Sequence, residues 1–147
     1  MTATPQEFMP HISELMRSID LCALITHKQG AIVSRPMSTN GEVDYDGDSH
    51  FFTRLSSGVV ADIAHDPEVA LMFHRTPGLL AGAPVFVHVQ GRAEVIQDRA
   101  RFAKHWHSSV DAWFEDGIDS TDLCMLKIHA HRVAFWDGME HGDIVLA

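Results

Sequence analysis

The stretch Thr53-Arg54-Leu55-Ser56-Ser57-Gly58-Val59 places three hydroxyls and a guanidinium within five residues. It runs from a strand-like segment into a helix-like one. A helix N-terminus exposes unpaired N–H groups and a partial positive charge, so it holds phosphates well. Thr53, Ser56 and Ser57 add hydroxyl donors, and Gly58 lets a ligand approach the backbone. An ordinary helix N-cap is the competing reading. The second segment is Ser34-Arg35-Pro36-Met37-Ser38. An Arg beside a strand Pro can place its guanidinium on a planar or anionic ligand while nearby backbone groups stay unpaired. The competing reading is a surface Arg on an edge strand.

Eleven histidines raise metal and haem chemistry. His129 and His131 are two apart in a strand-like run and face one side, which can supply two ligands. No third ligand is placed by the sequence, so solvent-facing histidines compete and no metal site is assigned. His105 and His107, if helical, point to different faces. Asp44, Asp46 and Asp48 resemble the start of a calcium loop, but Gly47 is out of place and no Glu follows at the required distance, so a β-turn is expected. Trp106, Trp113 and Trp136 suit core or dimer packing, or a flat cofactor ring lying between protomers. Neither a dinucleotide fingerprint nor a phosphate-binding P-loop is present, and no nucleophile–base–orienter set can be assembled.

The elements that must position these residues follow from periodicity. Thr4, Pro5 and Glu7 start a helix whose apolar positions Met9, Ile12, Leu15, Met16 and Ile19 carry it to about Asp20. Strands are expected over 21–26, 31–37, 50–53, 69–74, 85–90, 92–96, 123–128 and 132–136, with a turn at 27–30 and a bulge at Gly91. Pro36 puts its strand at an edge or a bend. A polar connector follows at 39–41. Helices are expected over 57–65 and from Asp98 to about Phe114. Short strands with few helices indicate a mainly antiparallel β-barrel with peripheral helices, a single domain over 1–147.

With 147 residues, 46% hydrophobic and 21% charged, the chain has ordinary globular composition. A net charge of −9 disfavours general nucleic-acid binding. Cys22 and Cys124 lie in apolar runs without metal-ligand spacing and are expected as buried free thiols in a reducing compartment. The first ten residues lack a signal-peptide pattern. The longest run without Asp, Glu, Lys or Arg, 76–91, is too short and too broken to span a bilayer. A cytoplasmic location with no membrane partner is expected.

The series LCALITHKQGAIVSRPMS, VDYDGDSHFFT, an S-x-x-V-A-D-I helix, DPEVALMF, VFVHVQGRAEVI, W-to-WF-x-x-G and a closing AFWD resembles the general-stress-protein branch of the pyridoxamine 5'-phosphate oxidase-like family, the FMN-binding split barrels. The likeness runs from about residue 8 to 137. It implies a six-stranded antiparallel split barrel, a homodimer and an FMN site at the subunit interface. On this resemblance Arg35, Pro36, Met37 and Ser38 match the strand along the isoalloxazine and ribityl chain. Phe52 and Thr53 match the strand end beside the phosphate, and Ser57 the hydroxyl at the start of the phosphate-binding helix. Trp113 and Trp136 match aromatics near the partner's flavin.

The chain departs from the family at Gly58 and Val59, where a Lys, often preceded by Arg, is the usual pattern. Loss of one charge-assisted contact costs on the order of 1.5–3 kcal/mol. Arg35 and Arg54 are the substitute cations in reach, with Arg54 expected on the opposite strand face from Thr53. A Lys introduced at 59 is expected to strengthen FMN binding. The resemblance implies a flavin-dependent oxidoreductase acting on a small substrate. A flavin-binding protein without turnover, and a family member that has lost FMN and takes another ligand in the dimer cleft, are the alternatives. The residues that bind substrate phosphate in true pyridoxamine-phosphate oxidases have no clear match, so vitamin B6 oxidation is not expected.

Overall fold

The computed structural model describes residues 4–17, 19–39, 44–77, 82–138 and 140–146. The connector expected at 39–41 lies outside the described residues beyond Thr39. The elements are α1 (Pro5–Met16), β1 (Leu21–Lys28), β2 (Ala31–Ser38), β3 (Asp48–Arg54), α2 (Gly58–His65), β4 (Glu68–Arg75), β5 (Val85–Ile96), α3 (Arg99–His105), β6 (Leu123–Asp137) and β7 (Glu140–Val145). Two 3-10 helices, Ser108–Trp113 and Gly117–Asp119, lie between α3 and β6. No helix among the described residues is long and apolar enough to cross a membrane.

One antiparallel sheet runs in the order β2-β1-β4-β5-β6-β3, with β7 on β6. The β1–β2 hairpin turns at Gln29 and Gly30, which hold φ of 48° and 83°, the left-handed pair a two-residue hairpin needs to match strand twist. Pro36 sits in β2, at one end of the sheet, where its missing N–H breaks no further ladder. The fifteen residues of β6 serve three partners: β5 on one side, and on the other β3 up to His129 and β7 from Arg132. Across from that change of partner, the β5–β6 register shifts between Gln90 and Gly91. A Cβ at Gly91 would lie 2.5 Å from the His129 carbonyl oxygen, so the bulge requires glycine there.

Two apolar clusters fill the fold. The larger joins α1 residues Ile12 and Leu15, α2 residues Val59 and Ile63, and the inward rows of the strands. The smaller gathers Ile96, Phe102, Phe114, Leu123 and Met125, with Phe52 and Trp106 packed on it. Cys22 and Cys124 are buried free thiols. Burial pushes their pKa values up to about 12 and about 11.

The structure differs from the sequence expectations in four places. The first helix ends at Met16 rather than near Asp20. The long helix expected from Asp98 stops at His105, and a separate 3-10 helix follows. His107 caps that second segment, its Nδ1 accepting from the Ser109 N–H at 3.2 Å, so chain direction resets between the two. The strands expected at 123–128 and 132–136 are one. A seventh strand, β7, joins the six expected of the barrel.

A buried ion pair crosses from the sheet edge to α2. Arg35 Nη2 on β2 donates to Asp62 Oδ2 at 2.9 Å, and Thr26 Oγ1 donates to the same oxygen at 2.9 Å. Asp62 is 6% exposed. Removing one partner of a buried pair strands the other charge and costs about 3–5 kcal/mol, whereas replacing both with apolar groups is often neutral. Asp62→Asn should therefore lower unfolding free energy by about 3 kcal/mol in urea melts, and the Arg35→Met/Asp62→Leu double variant should recover most of it.

Candidate functional site

Because β2 and β3 are the two ends of the sheet order, each keeps one edge free of strand partners among the described residues. A cleft of about 440 Å³ opens between them. Its first wall is the end of β2, from Pro36 to Thr39, and its second the run of β3 from His50 to Arg54. Such a volume falls within the ~300–1,000 Å³ of small-molecule sites.

The inner end of the cleft is set by the turn from β3 into α2. Leu55 N–H donates to the Asp122 carbonyl at 2.8 Å, which ends the strand and turns the chain. Ser56 follows, with its Oγ donating to Asp122 Oδ2 at 2.6 Å. Ser57 is the N-cap residue of α2. Its Oγ donates to the Arg54 carbonyl at 2.6 Å and lies 3.3 Å from Thr53 Oγ1. Thr53 and Ser57 are thus neighbours at one helix start, as the sequence spacing anticipated. Gly58 is exposed, and a Cβ there would meet nothing within 4 Å. Val59 turns the other way and packs in the main core at 4% exposure. Position 59 therefore belongs to the core, and a Lys substituted there starts from the core rather than from the cleft.

The third wall comes from the segment after α3. His105 ends that helix, and the break lets His105 and His107 both line the cleft with Ser109, Val110, Trp113 and Phe114. Trp106 points back into the small cluster, edge-on to Phe52 at 4.9 Å, and its Nε1 donates to Asp111 Oδ1 at 2.9 Å. Trp113 stays 69% exposed at the cleft rim. The His50 and His105 rings stack with centroids 3.6 Å apart and planes 15° from parallel.

Of the residues singled out in the sequence, the cleft gathers Pro36, Met37, Ser38, Phe52, Thr53, Ser57 and Trp113. Arg35 is elsewhere: its guanidinium is engaged by Asp62, Thr26 Oγ1 and the Leu24 carbonyl. Trp136 lies on β6 beside Phe86 of β5, outside the cleft. Arg54, expected on the opposite strand face from Thr53, nonetheless lines the same cleft. The cleft runs along the strand end and touches every residue from His50 to Arg54, so neighbours on alternate faces both reach it. His129 and His131 do not converge on a common ligand: His129 Nδ1 lies 2.7 Å from Asp48 and His131 Nε2 lies 3.2 Å from Glu68. The Asp44–Asp48 run is a turn, with Asp48 N–H donating to Asp46 Oδ1 at 3.0 Å. Sequence reasoning missed His50, Val110 and Phe114, whose role depends on the helix break at His105 and on pairing between distant strands.

Residues 7–147 match the family described as pyridoxamine 5'-phosphate oxidase like. Among solved structures, the fold is similar to a protein related to general stress protein 26 from Clostridium acetobutylicum, with 18% identity, a TM-score of 0.78 and 96% of each chain covered. General stress protein 26 from Bacillus anthracis is similar at 19% identity and a TM-score of 0.74, covering 92% of this chain and 99% of that one. A FAD-binding protein from Mesorhizobium loti is similar at 18% identity and a TM-score of 0.67, covering 85% and 91%. No curated protein matches the chain.

The stacked histidines give the cleft a pH response. Burial first, then the neighbouring ring of His105, lowers the pKa of His50, while Asp48 and Asp46 oppose the shift. Burial and the cations Lys104, Arg101 and Lys127 lower that of His105. A histidine whose folded pKa is depressed binds fewer protons folded than unfolded, so its contribution to stability is intact above ~6.5 and is lost as pH falls below it. The melting temperature should therefore fall between pH 7.5 and pH 5. His105→Gln, by removing one of the two rings, should show a smaller fall over the same interval.

Proposed function

The chain belongs to the pyridoxamine 5'-phosphate oxidase-like family, and from that premise we propose that the cleft between β2 and β3 binds FMN. The observation that carries the reading is a cleft bounded by two free sheet edges and ending on the hydroxyl-bearing start of α2. The donor set suits the group. Ser38 on the free edge of β2 offers a backbone donor and acceptor to a polar ring edge, with Met37 lining the cleft beside it. Thr53 and Ser57 offer hydroxyls to a phosphate, the open backbone at Gly58 leaves room for it, and Val59 fastens that helix start to the core. Val110, Trp113 and Phe114 form the apolar wall a flat ring requires.

Bound FMN would supply electron transfer between a reduced nicotinamide and a small substrate. The chain's own residues bind and orient. Phe52 closes the floor of the cleft against water through its contacts with Phe102 and Trp106. Arg35 acts at one remove, holding β2 against α2 through Asp62. A reducing, cytoplasmic setting accords with the two buried thiols.

Titration of tag-free apo-protein with FMN, followed by flavin fluorescence, should give saturable binding at micromolar or lower concentration, one flavin per chain. Thr53→Val with Ser57→Ala should weaken it by roughly tenfold or more, as loss of hydrogen bonds to a charged group predicts. Absence of saturable binding by the parent protein would remove the FMN reading. A holo-protein inert to NADH, NADPH and a broad panel of acceptors would leave a flavin-binding protein and remove the oxidoreductase.

We propose further that two copies pair through an aromatic row on the outer sheet face. His74, Phe86, Trp136 and His141 are successive cross-strand partners on β4, β5, β6 and β7. His74 and Phe86 stack at 4.8 Å, and Phe86 and Trp136 are 37% and 44% exposed. Side-by-side exposed aromatics are typical of interface cores. Trp136→Arg should convert a dimer into a monomer by light scattering while leaving the far-UV dichroism intact. A parent protein already monomeric at tens of micromolar would exclude this pairing.

A further inference from the structure

The chain carries 20 Asp and Glu residues against 11 Lys and Arg. Even so, no Asp or Glu is among the described residues lining the cleft, and Arg54 is the one Lys or Arg that is. The guanidinium of Arg54 is held weakly. Its Nη2 donates to the Trp113 carbonyl at 3.1 Å, and its Cζ lies 5.0 Å above the Phe114 ring. Arg35, Arg92, Arg99, Arg101 and Arg132 each pair with a carboxylate, but no described carboxylate pairs with Arg54. Two acids on segments adjoining Arg54 are engaged elsewhere: Asp122, next to the Arg54 ladder partner Leu123, accepts from Ser56, and Asp111 from Trp106. A guanidinium without a counter-anion, facing a cleft that excludes acids, is configured for an anion brought by the ligand.

We propose that Arg54 is the anion anchor of the cleft, taking the phosphate monoester of the bound ligand and giving up the Trp113 carbonyl to do so. The inference rests on the FMN reading and deepens it by naming the residue that selects the phosphorylated flavin. The Ser57 backbone N–H donates to the Arg54 carbonyl at 3.0 Å, so the anchor and the helix start stay fixed to each other at the same end of the cleft when the Ser57 hydroxyl turns to the phosphate. Arg54 also ties β3 to the far end of the 3-10 helix Ser108–Trp113. Exchange of the Trp113 carbonyl for a phosphate oxygen frees that wall, which links occupancy of the anion site to the position of Trp113.

The test is a comparison of FMN with riboflavin, which lacks the phosphate, on the parent protein, Arg54→Ala and Arg54→Lys. The parent should bind FMN roughly ten- to a hundredfold tighter than riboflavin. Arg54→Ala should lose that preference with riboflavin affinity unchanged, and Arg54→Lys should retain part of it as a point charge without the fork. Trp113 fluorescence at saturation, read as the difference from a Trp113→Phe variant, should change differently on binding FMN than on binding riboflavin in the parent, and alike for the two flavins in Arg54→Ala. Equal losses for both flavins in Arg54→Ala would make Arg54 a wall residue and overturn the inference while FMN binding stands. A parent that binds both flavins equally well would overturn it too. A parent that binds neither would overturn the FMN reading and this inference with it.

Discussion

The bond from Arg35 to Asp62 is the constraint on which the site depends. An edge strand has neighbours on one side only, and at Pro36 β2 has no N–H to offer on its free edge. The ion pair supplies the missing second attachment. It reaches past β1, recruits Thr26, and ends on the inner face of α2. One wall of the cleft is the next residues of β2, and the inner end of the cleft is the start of α2. Both parts of the ligand site are therefore referenced to a single carboxylate. Asp62 accepts two hydrogen bonds at one oxygen in a buried position, so the pair is geometrically specified, which is the use of buried charge best supported on physical grounds.

The same view explains why Arg35 reads ambiguously in the sequence. A guanidinium on a strand flanked by Ser and Pro has the right type and place for a ligand contact, and nothing local distinguishes that from a structural role. The partner is Asp62, twenty-seven residues on. It falls within the S-x-x-V-A-D-I pattern, on a helix whose other inward residues are Val59 and Ile63. An acid on the buried stripe of an amphipathic helix is the signal that a cation must come to meet it.

The parts of the fold legible in the sequence were those decided by local chemistry. The Gln29-Gly30 turn, the edge character of the Pro36 strand, the Gly91 bulge and the Ser57 start of α2 each follow from a residue that permits little else. The parts that were not legible were decided at a distance. Glu140-His141-Gly142-Asp143 has no strand propensity, and it becomes β7 because the outer half of β6 offers a free edge. Gly142 is needed there, since a Cβ would lie 2.4 Å from the Phe135 ring. The site divides in the same way. The Thr53–Ser57 hydroxyl pair was readable from spacing alone. The contributions of Arg54, His50 and Phe114 depended on the pairing of distant strands and on the break after His105, which periodicity does not register.

The pairing of β3 with β6 has a consequence for the order of events in the life of the chain. Asp48 lies opposite His129 and Arg54 opposite Leu123, the longest-range strand pairing in the sheet. The β1–β2 hairpin closes over a two-residue turn and β4 pairs with the next strand in sequence, whereas β3 must wait for a segment 69 to 81 residues further along the chain. Half of the cleft is thus carried by a strand that docks late. A nascent chain holds the β2-β1-β4-β5 part of its sheet before it has anywhere to put a ligand, and a ligand spanning from β2 to β3 would act as a clasp across the sheet's most distant pairing.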